Sequence, residues 1–243
     1  RAEWQYLNYP NCNEVHEIDL PGVFRDKKKG TGYLASGLWR SVWAVRPRGE
    51  VVVLKMMKSE HEVNTRNLER HRRDALVMEQ LTSSPYVVDG YAYCGNSVVT
   101  EFLDTTLDSV VYSDSATIWG QTTKITEGMR IQWALDMARA VETLHTYESP
   151  IVHADLQAKQ LLISPSGTIK INDFNRCRFM ARHHDTNVPC SFRIPTAPGK
   201  MRSPEEYKYE ELDEKLDIYA VANVLFSILT KRKAWENRSS SET

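Results

Sequence analysis

Three charged side chains in this 243-residue sequence sit where a charge needs a reason. Lys55 ends the apolar run Val51-Val52-Val53-Leu54. An ammonium on a buried strand is costly, so it must be paired, used on an anion, or snorkelled to water along its own stem. Asp155 lies in His153-Ala154-Asp155-Leu156, after a long amphipathic segment, and Asp173 lies in Asp173-Phe174-Asn175, after a hairpin pattern. A loop carboxylate can take up a proton or hold a hard cation, but it is also an ordinary turn residue. A small-residue turn, Ser36-Gly37, precedes Leu38-Trp39-Arg40-Ser41-Val42 between two apparent strands. Each feature is weak alone, and their order along the chain carries the information.

The elements that must position them can be read from periodicity. Val42–Val45 and Val51–Leu54 read as strands joined through Arg46-Pro47-Arg48-Gly49-Glu50. The spacing of Leu68, Ala75, Leu76, Met78 and Leu81 predicts a helix over 66–81, stopping near Ser83-Ser84-Pro85. Strands follow at 87–94 and 97–102. A polar stretch, 104–126, leads to an amphipathic helix over 127–147, with Ile131, Leu135, Ala138, Val141 and Leu144 as its expected buried stripe. Leu161–Ile163 and Ile169–Ile171 flank Pro165-Ser166-Gly167 and read as a hairpin. Residues 176–204 read as loop and 217–230 as an apolar helix. A strand-rich first part with one helix, followed by a helix-rich second part with the break near 104, is an α+β chain in two lobes.

Composition excludes more than it selects. Lys+Arg 31 against Asp+Glu 32 gives 31 − 32 = −1, with 26% charged and 41% hydrophobic residues. That balance argues against a disordered chain and against a nucleic-acid partner. The longest apolar stretch, 218–229, is about a dozen residues broken by Asn223 and Ser227, short of the roughly 20 needed for a membrane segment. Cys12, Cys94, Cys177 and Cys190 contain no C-x-x-C pair, so a zinc cluster is not expected; they allow three disulfide pairings or four free thiols. Lys27-Lys28-Lys29 reads as a solvated turn, and the triplet Asn237-Arg238-Ser239 fits chance as well as secretion. The compartment stays open, with a slight lean to the cytoplasm, as does the oligomeric state.

From Gly37 through Lys55, His153-Ala154-Asp155 and Asp173-Phe174-Asn175 to Ser203-Pro204-Glu205 and Asp217-Ile218-Tyr219, the chain resembles the eukaryotic protein kinase superfamily over roughly 30–235. The resemblance implies a bilobal protein-kinase-like fold, with an extension at 1–29, a β-rich N-lobe at 30–103, a mainly helical C-lobe at 104–235 that looks incomplete, and a polar tail at 236–243. It implies ATP, Mg²⁺ or Mn²⁺, and a protein or peptide substrate. Asp155 would orient the acceptor hydroxyl and take its proton, Lys55 would meet phosphate, and Lys159 would supply charge near the γ-phosphate. Asp173 and Gln160 would hold metal. Gly37, Val42, Val53, Lys55, Thr100, Glu101, Leu103 and Leu162 would line the nucleotide site, with Asp74 as the helix partner of Lys55. Thr100 falls at the gatekeeper position and Glu101–Leu103 at the hinge.

The departures from the family pattern are specific. Ala35 and Arg40 replace the outer glycines of the phosphate loop, and Arg40 is expected to limit backbone approach to phosphate. Asp74 stands for the family glutamate, and Arg70, four residues earlier, is expected to compete with Lys55 for it; Glu79 is the alternative helix acid. Ala154 removes the cation that docks an activation-loop phosphate, so no switch of that type is expected. Gln157 replaces the loop lysine, and Asn175 replaces a glycine but tolerates left-handed backbone angles. His183-His184-Asp185 reads as solvated chain. The catalytic-loop and Ser-Pro-Glu segments lean toward tyrosine or tyrosine-kinase-like kinases. A kinase is therefore set against two alternatives, a pseudokinase scaffold and a small-molecule kinase.

Overall fold

The computed structural model describes residues 12–25, 31–195, 199 and 201–236. The Lys27–Gly30 run, Pro198, Lys200 and the Asn237-Arg238-Ser239 triplet lie outside them. The chain divides into two compact units at 102/103.

The first unit opens with two short helices that the sequence reading did not anticipate, α1 (Cys12–His16) and α2 (Leu20–Arg25). Strands β1 (Gly32–Ser36), β2 (Arg40–Val45) and β3 (Val52–Met57), helix α3 (Thr65–Gln80) and strands β4 (Gly90–Cys94) and β5 (Ser97–Glu101) complete it. The strands form one antiparallel sheet, ordered β1-β2-β3-β5-β4, in which Val42 faces Lys55 and Val53 faces both Ala44 and Thr100. Alternation along β3 sends Val52 and Leu54 to one face and Val53 and Lys55 to the other. The first face is sealed by the N-terminal segment: Ile18, with Val15 and Leu20, packs on Val45, Val52, Leu54, Ala92 and Val99. Helix α3 begins where the Asn64 side chain accepts the Asn67 N–H. It lies so close to β4 that a Cβ on Gly90 would come within 3.0 Å of the Met78 Cβ.

The second unit runs through β6 (Thr105–Thr106), α4 (Leu107–Val110), β7 (Ser115–Ile118), β8 (Gln121–Lys124), α5 (Glu127–His145), β9 (Ile151–Val152), β10 (Leu161–Ile163), β11 (Ile169–Ile171), β12 (Arg178–Phe179), α6 (Pro204–Tyr207) and α7 (Lys215–Thr230). Its sheets are small: β11-β10-β6, β12-β9 and the hairpin β7-β8. The stretch read as polar loop, 104–126, thus holds a helical turn and a hairpin.

The buried stripe of α5 differs from expectation. Trp133, Asp136, Met137, Ala140, Val141 and Leu144 face inward, whereas Ile131 is 65% and Leu135 43% exposed. Both series repeat at helical spacing, and the one carrying the bulkier Trp133 and Met137 removes more apolar area from water. Two polar members of that face are structural. The Arg130 guanidinium donates to the carbonyls of Val111, Ser113 and Ile228 at 2.6–3.0 Å, and Asp136 accepts the Ile169 N–H at 3.1 Å. On α7, Ile218, Phe226 and Leu229 are exposed.

Candidate active site

In the first unit the charges converge beneath β2 and β3. Asp74, on the inner face of α3, is fully buried. Lys55 Nζ lies 3.8 Å from its Oδ2, and the Arg40 guanidinium hydrogen-bonds the same oxygen. Arg40 therefore turns inward rather than crowding the loop at Gly37. Arg70 stacks on Trp39 at 3.8 Å from the ring centroid, and its carbonyl accepts from Arg40 at 3.5 Å. His71 is buried beside this group, and burial, then the Arg40 charge, brings it down to about 4. The Gly37 N–H donates to the Arg40 carbonyl at 2.9 Å, closing the β1–β2 turn, and a Cβ on Gly37 would meet nothing within 4 Å. Val42 is half-buried and Val53 buried; Thr100 is buried, and its hydroxyl donates to the Glu101 carbonyl at 3.2 Å. The Glu101 carboxylate accepts the Asp89 N–H at 2.8 Å. The 102/103 division falls inside Glu101–Leu103, leaving Leu103 buried in the second unit.

In the second unit Asp217 pins the loop that carries Asp155. Its carboxylate accepts the N–H groups of His153 (2.7 Å) and Ala154 (3.0 Å) and the His145 Nε2–H (3.1 Å). Ala154 adopts φ 60°, a left-handed conformation disfavoured for alanine. The fold over-determines it, because its carbonyl also accepts from Arg176 Nε at 3.3 Å and Arg202 NH1 at 3.2 Å. The His153 ring bridges the loop to the next segment, accepting the Asp155 N–H at Nδ1 and donating from Nε2 to the Asn172 carbonyl at 3.0 Å.

The Asp155 carboxylate is held from one side. Oδ1 accepts from Arg202 NH2 at 2.6 Å and from Gln157 Nε2 at 3.1 Å, while Oδ2 accepts from no described residue. Arg202 also lies 3.7 Å from Glu206, the acid that closes a capping box with Ser203 at the start of α6. Burial raises the Glu206 carboxyl, and burial followed by the Arg202 charge lowers the Arg176 guanidinium. Glu205, the acid singled out from sequence, is exposed. Arg202, Arg176 and Glu206 escaped the sequence reading, since their only signal is proximity in space.

Asp173, rather than Asn175, takes a left-handed conformation (φ 65°), and the Asn175 side chain donates to Asp173 Oδ1 at 2.5 Å. Gln160 is tied to this segment by its carbonyl, which accepts the Asn172 N–H at 2.9 Å. The residue as a whole is buried. A carboxylate and an amide oxygen suit Mg²⁺ or Mn²⁺, which take oxygen ligands. Lys159 is exposed on the turn 158–160, and Leu162 is half-buried in β10.

Of the pairings left open, the structure joins Cys12 to Cys94 in a disulfide, leaving Cys177 and Cys190 free. His16 Nε2 lies 3.5 Å from Cys94 Sγ, so three side chains of metal-ligating type meet where no C-x-x-C spacing announced them, with both sulfurs spent on the bridge. His184 and Asp185 are almost fully exposed.

The protein kinase domain model matches residues 34–243. The serine/threonine-protein kinase CTR1 of Arabidopsis thaliana is 24% identical over 225 residues, covering 91% of this chain and 26% of the relative. The probable serine/threonine-protein kinase SIS8 of the same plant is 28% identical over 190 residues, 76% of this chain and 17% of the relative. Mitogen-activated protein kinase kinase kinase 13 of Mus musculus is 23% identical over 245 residues, 99% and 23% respectively. The chain spans less than a third of the length of these curated relatives.

Proposed function

We propose, from the premise that this chain belongs to the protein kinase family, that it transfers the γ-phosphoryl group of ATP to a hydroxyl of a protein substrate. The observation that carries this reading is the state of Asp155: its loop is pinned by Asp217, its Oδ1 is held, and its Oδ2 is open to take a proton from an acceptor hydroxyl. Lys55 serves the phosphates, with Gly37 leaving the backbone of the β1–β2 turn approachable. Val42, Val53, Thr100, Glu101, Leu103 and Leu162 serve the nucleotide base. Asp173 and Gln160 serve the divalent ion, whose chemistry is to neutralise charge on the phosphates, and the exposed Lys159 supplies charge near the γ-phosphate. The names of the relatives favour a serine or threonine acceptor over the tyrosine lean of the loop.

A pseudokinase scaffold is the second reading, favoured by the hold of Arg40 on the carboxylate expected to pair with Lys55. Transfer from labelled ATP to a mixture of proteins and peptides, with Mg²⁺ and then Mn²⁺, separates the two. The expected result is label transferred by the parent and lost in Asp155→Asn, with phosphoserine or phosphothreonine as product. Equal or absent signal from both folded proteins would select the scaffold.

A further inference from the structure

We infer that Arg202 is a positioning residue for phosphoryl transfer, supplying from the segment before α6 the cation that holds Asp155 in its working orientation. The inference rests on the proposed kinase reading. A carboxylate that takes a proton from an acceptor must point one oxygen at it and be kept from rotating. Here the division of labour is visible: Oδ1 receives Arg202 NH2 at 2.6 Å and Gln157 Nε2 at 3.1 Å, and Oδ2 receives nothing from the described residues. Arg202 and Asp155 side chains are only 12% and 15% exposed, so solvent screens the pair weakly. The guanidinium is itself fixed by the Ala154 carbonyl at 3.2 Å and by Glu206 at 3.7 Å. A planar guanidinium clamped at three points is a rigid mount, which a flexible ammonium would not be.

The step it serves is balanced. As the acceptor oxygen forms its bond to the γ-phosphorus, the bond from that phosphorus to the bridging oxygen breaks and the diphosphate leaves. The acceptor proton passes to Asp155 Oδ2. Arg202 touches neither reacting atom; it acts through Oδ1. Position 157 offers an independent handle, because its side chain already reaches the same oxygen and a lysine there would bring a cation back to it.

The test measures kcat and nucleotide KM for the parent, Arg202→Gln, Gln157→Lys and the double variant, with thermal unfolding of each. Arg202→Gln should lower kcat by about 10- to 100-fold, the order of losing one charge-assisted hydrogen bond, with nucleotide KM unchanged within about threefold. Adding Gln157→Lys should recover at least about tenfold, and Arg202→Gln in the Asp155→Asn background should change the residual rate by less than about threefold. Parent-like kcat in folded Arg202→Gln, or failure of Gln157→Lys to rescue, overturns the inference and leaves the kinase reading standing. If Arg202→Gln does not fold, Gln157→Leu, which removes the second donor to Oδ1, must lower kcat alone or the inference falls. Absence of Asp155-dependent transfer in the parent overturns both.

Discussion

Asp74 is a buried carboxylate shared by the buried cations of Arg40 and Lys55, and this makes a quantitative prediction about non-additivity. Arg40 hydrogen-bonds Oδ2 while Lys55 stands 3.8 Å from the same atom, with side-chain exposures of 6% for each cation and 0% for Asp74. At that separation and an effective dielectric near 20, the Lys55 attraction is about 4 kcal/mol before desolvation is counted. Replace Arg40 with Met, which keeps aliphatic bulk on β2, and Lys55 needs to move only about 1 Å to reach hydrogen-bond distance. The carboxylate keeps a partner, and the cost should be about 1–2 kcal/mol. Lys55→Met leaves the Arg40 contact intact and should cost less than about 1 kcal/mol. The double variant removes both of these cations from a carboxylate that cannot reach water, a loss of about 3–5 kcal/mol.

The coupling between the two sites is therefore about 2 kcal/mol in the direction of mutual replacement. Urea unfolding followed by tryptophan fluorescence reads it directly. With slopes of about 1–3 kcal/mol per molar urea, the extra loss moves the double-variant midpoint by on the order of 1 M beyond the sum of the singles. Additivity within about 0.5 kcal/mol would show that Arg40 and Lys55 do not share Asp74, and the competition argued from the geometry would be wrong.

Two further outcomes follow from the first unit. His71 titrates near 6.5 when unfolded and near 4 when folded, so its contribution is constant above about pH 6.5 and falls as the unfolded chain gains a proton that the folded chain refuses. The loss between pH 6.5 and 4 should approach about 3 kcal/mol; His71→Gln should flatten that slope in urea unfolding at pH 7.5, 6 and 5, and an unchanged slope refutes the assignment. The Cys12–Cys94 bridge closes a separation of 82 residues, worth at most about 4–5 kcal/mol by loop entropy. Cys94→Ser should lower unfolding free energy by about 2–4 kcal/mol and loosen α1 in hydrogen exchange, and a change under about 1 kcal/mol would refute it.

What was legible in the sequence was local. The β10–β11 hairpin carries its own turn in Pro165-Ser166-Gly167, and β2 and β3 carry dense β-branched runs, so periodicity alone found them. The β7–β8 hairpin lacks apolar alternation; its turn at Trp119-Gly120, with φ 49° and 73°, was hidden in a polar stretch. On α5 two periodic series coexist, and only the partners of Trp133 decide between them. Lys55, Asp155 and Asp173 could be singled out because their order along the chain carries the family resemblance. Arg40, Arg202 and the disulfide were not, because their partners lie 34, 47 and 82 residues away.

The substitutions that make this chain look degraded are better understood as one redistribution of charge. Alanine at 154 and glutamine at 157 subtract cations from the catalytic loop, and arginines at 176 and 202 return them from outside it, both donating to the Ala154 carbonyl. Around that oxygen stand two guanidiniums and two carboxylates, Asp155 and Glu206, so the group is balanced in formal charge. Removing one of these ions would leave its partner short of a counter-charge, which ties the four positions to one another structurally. On the kinase reading proposed above, the consequence is a carboxylate with Oδ1 held and Oδ2 left to accept a proton, which is what the Arg202 and Asp155 variants interrogate.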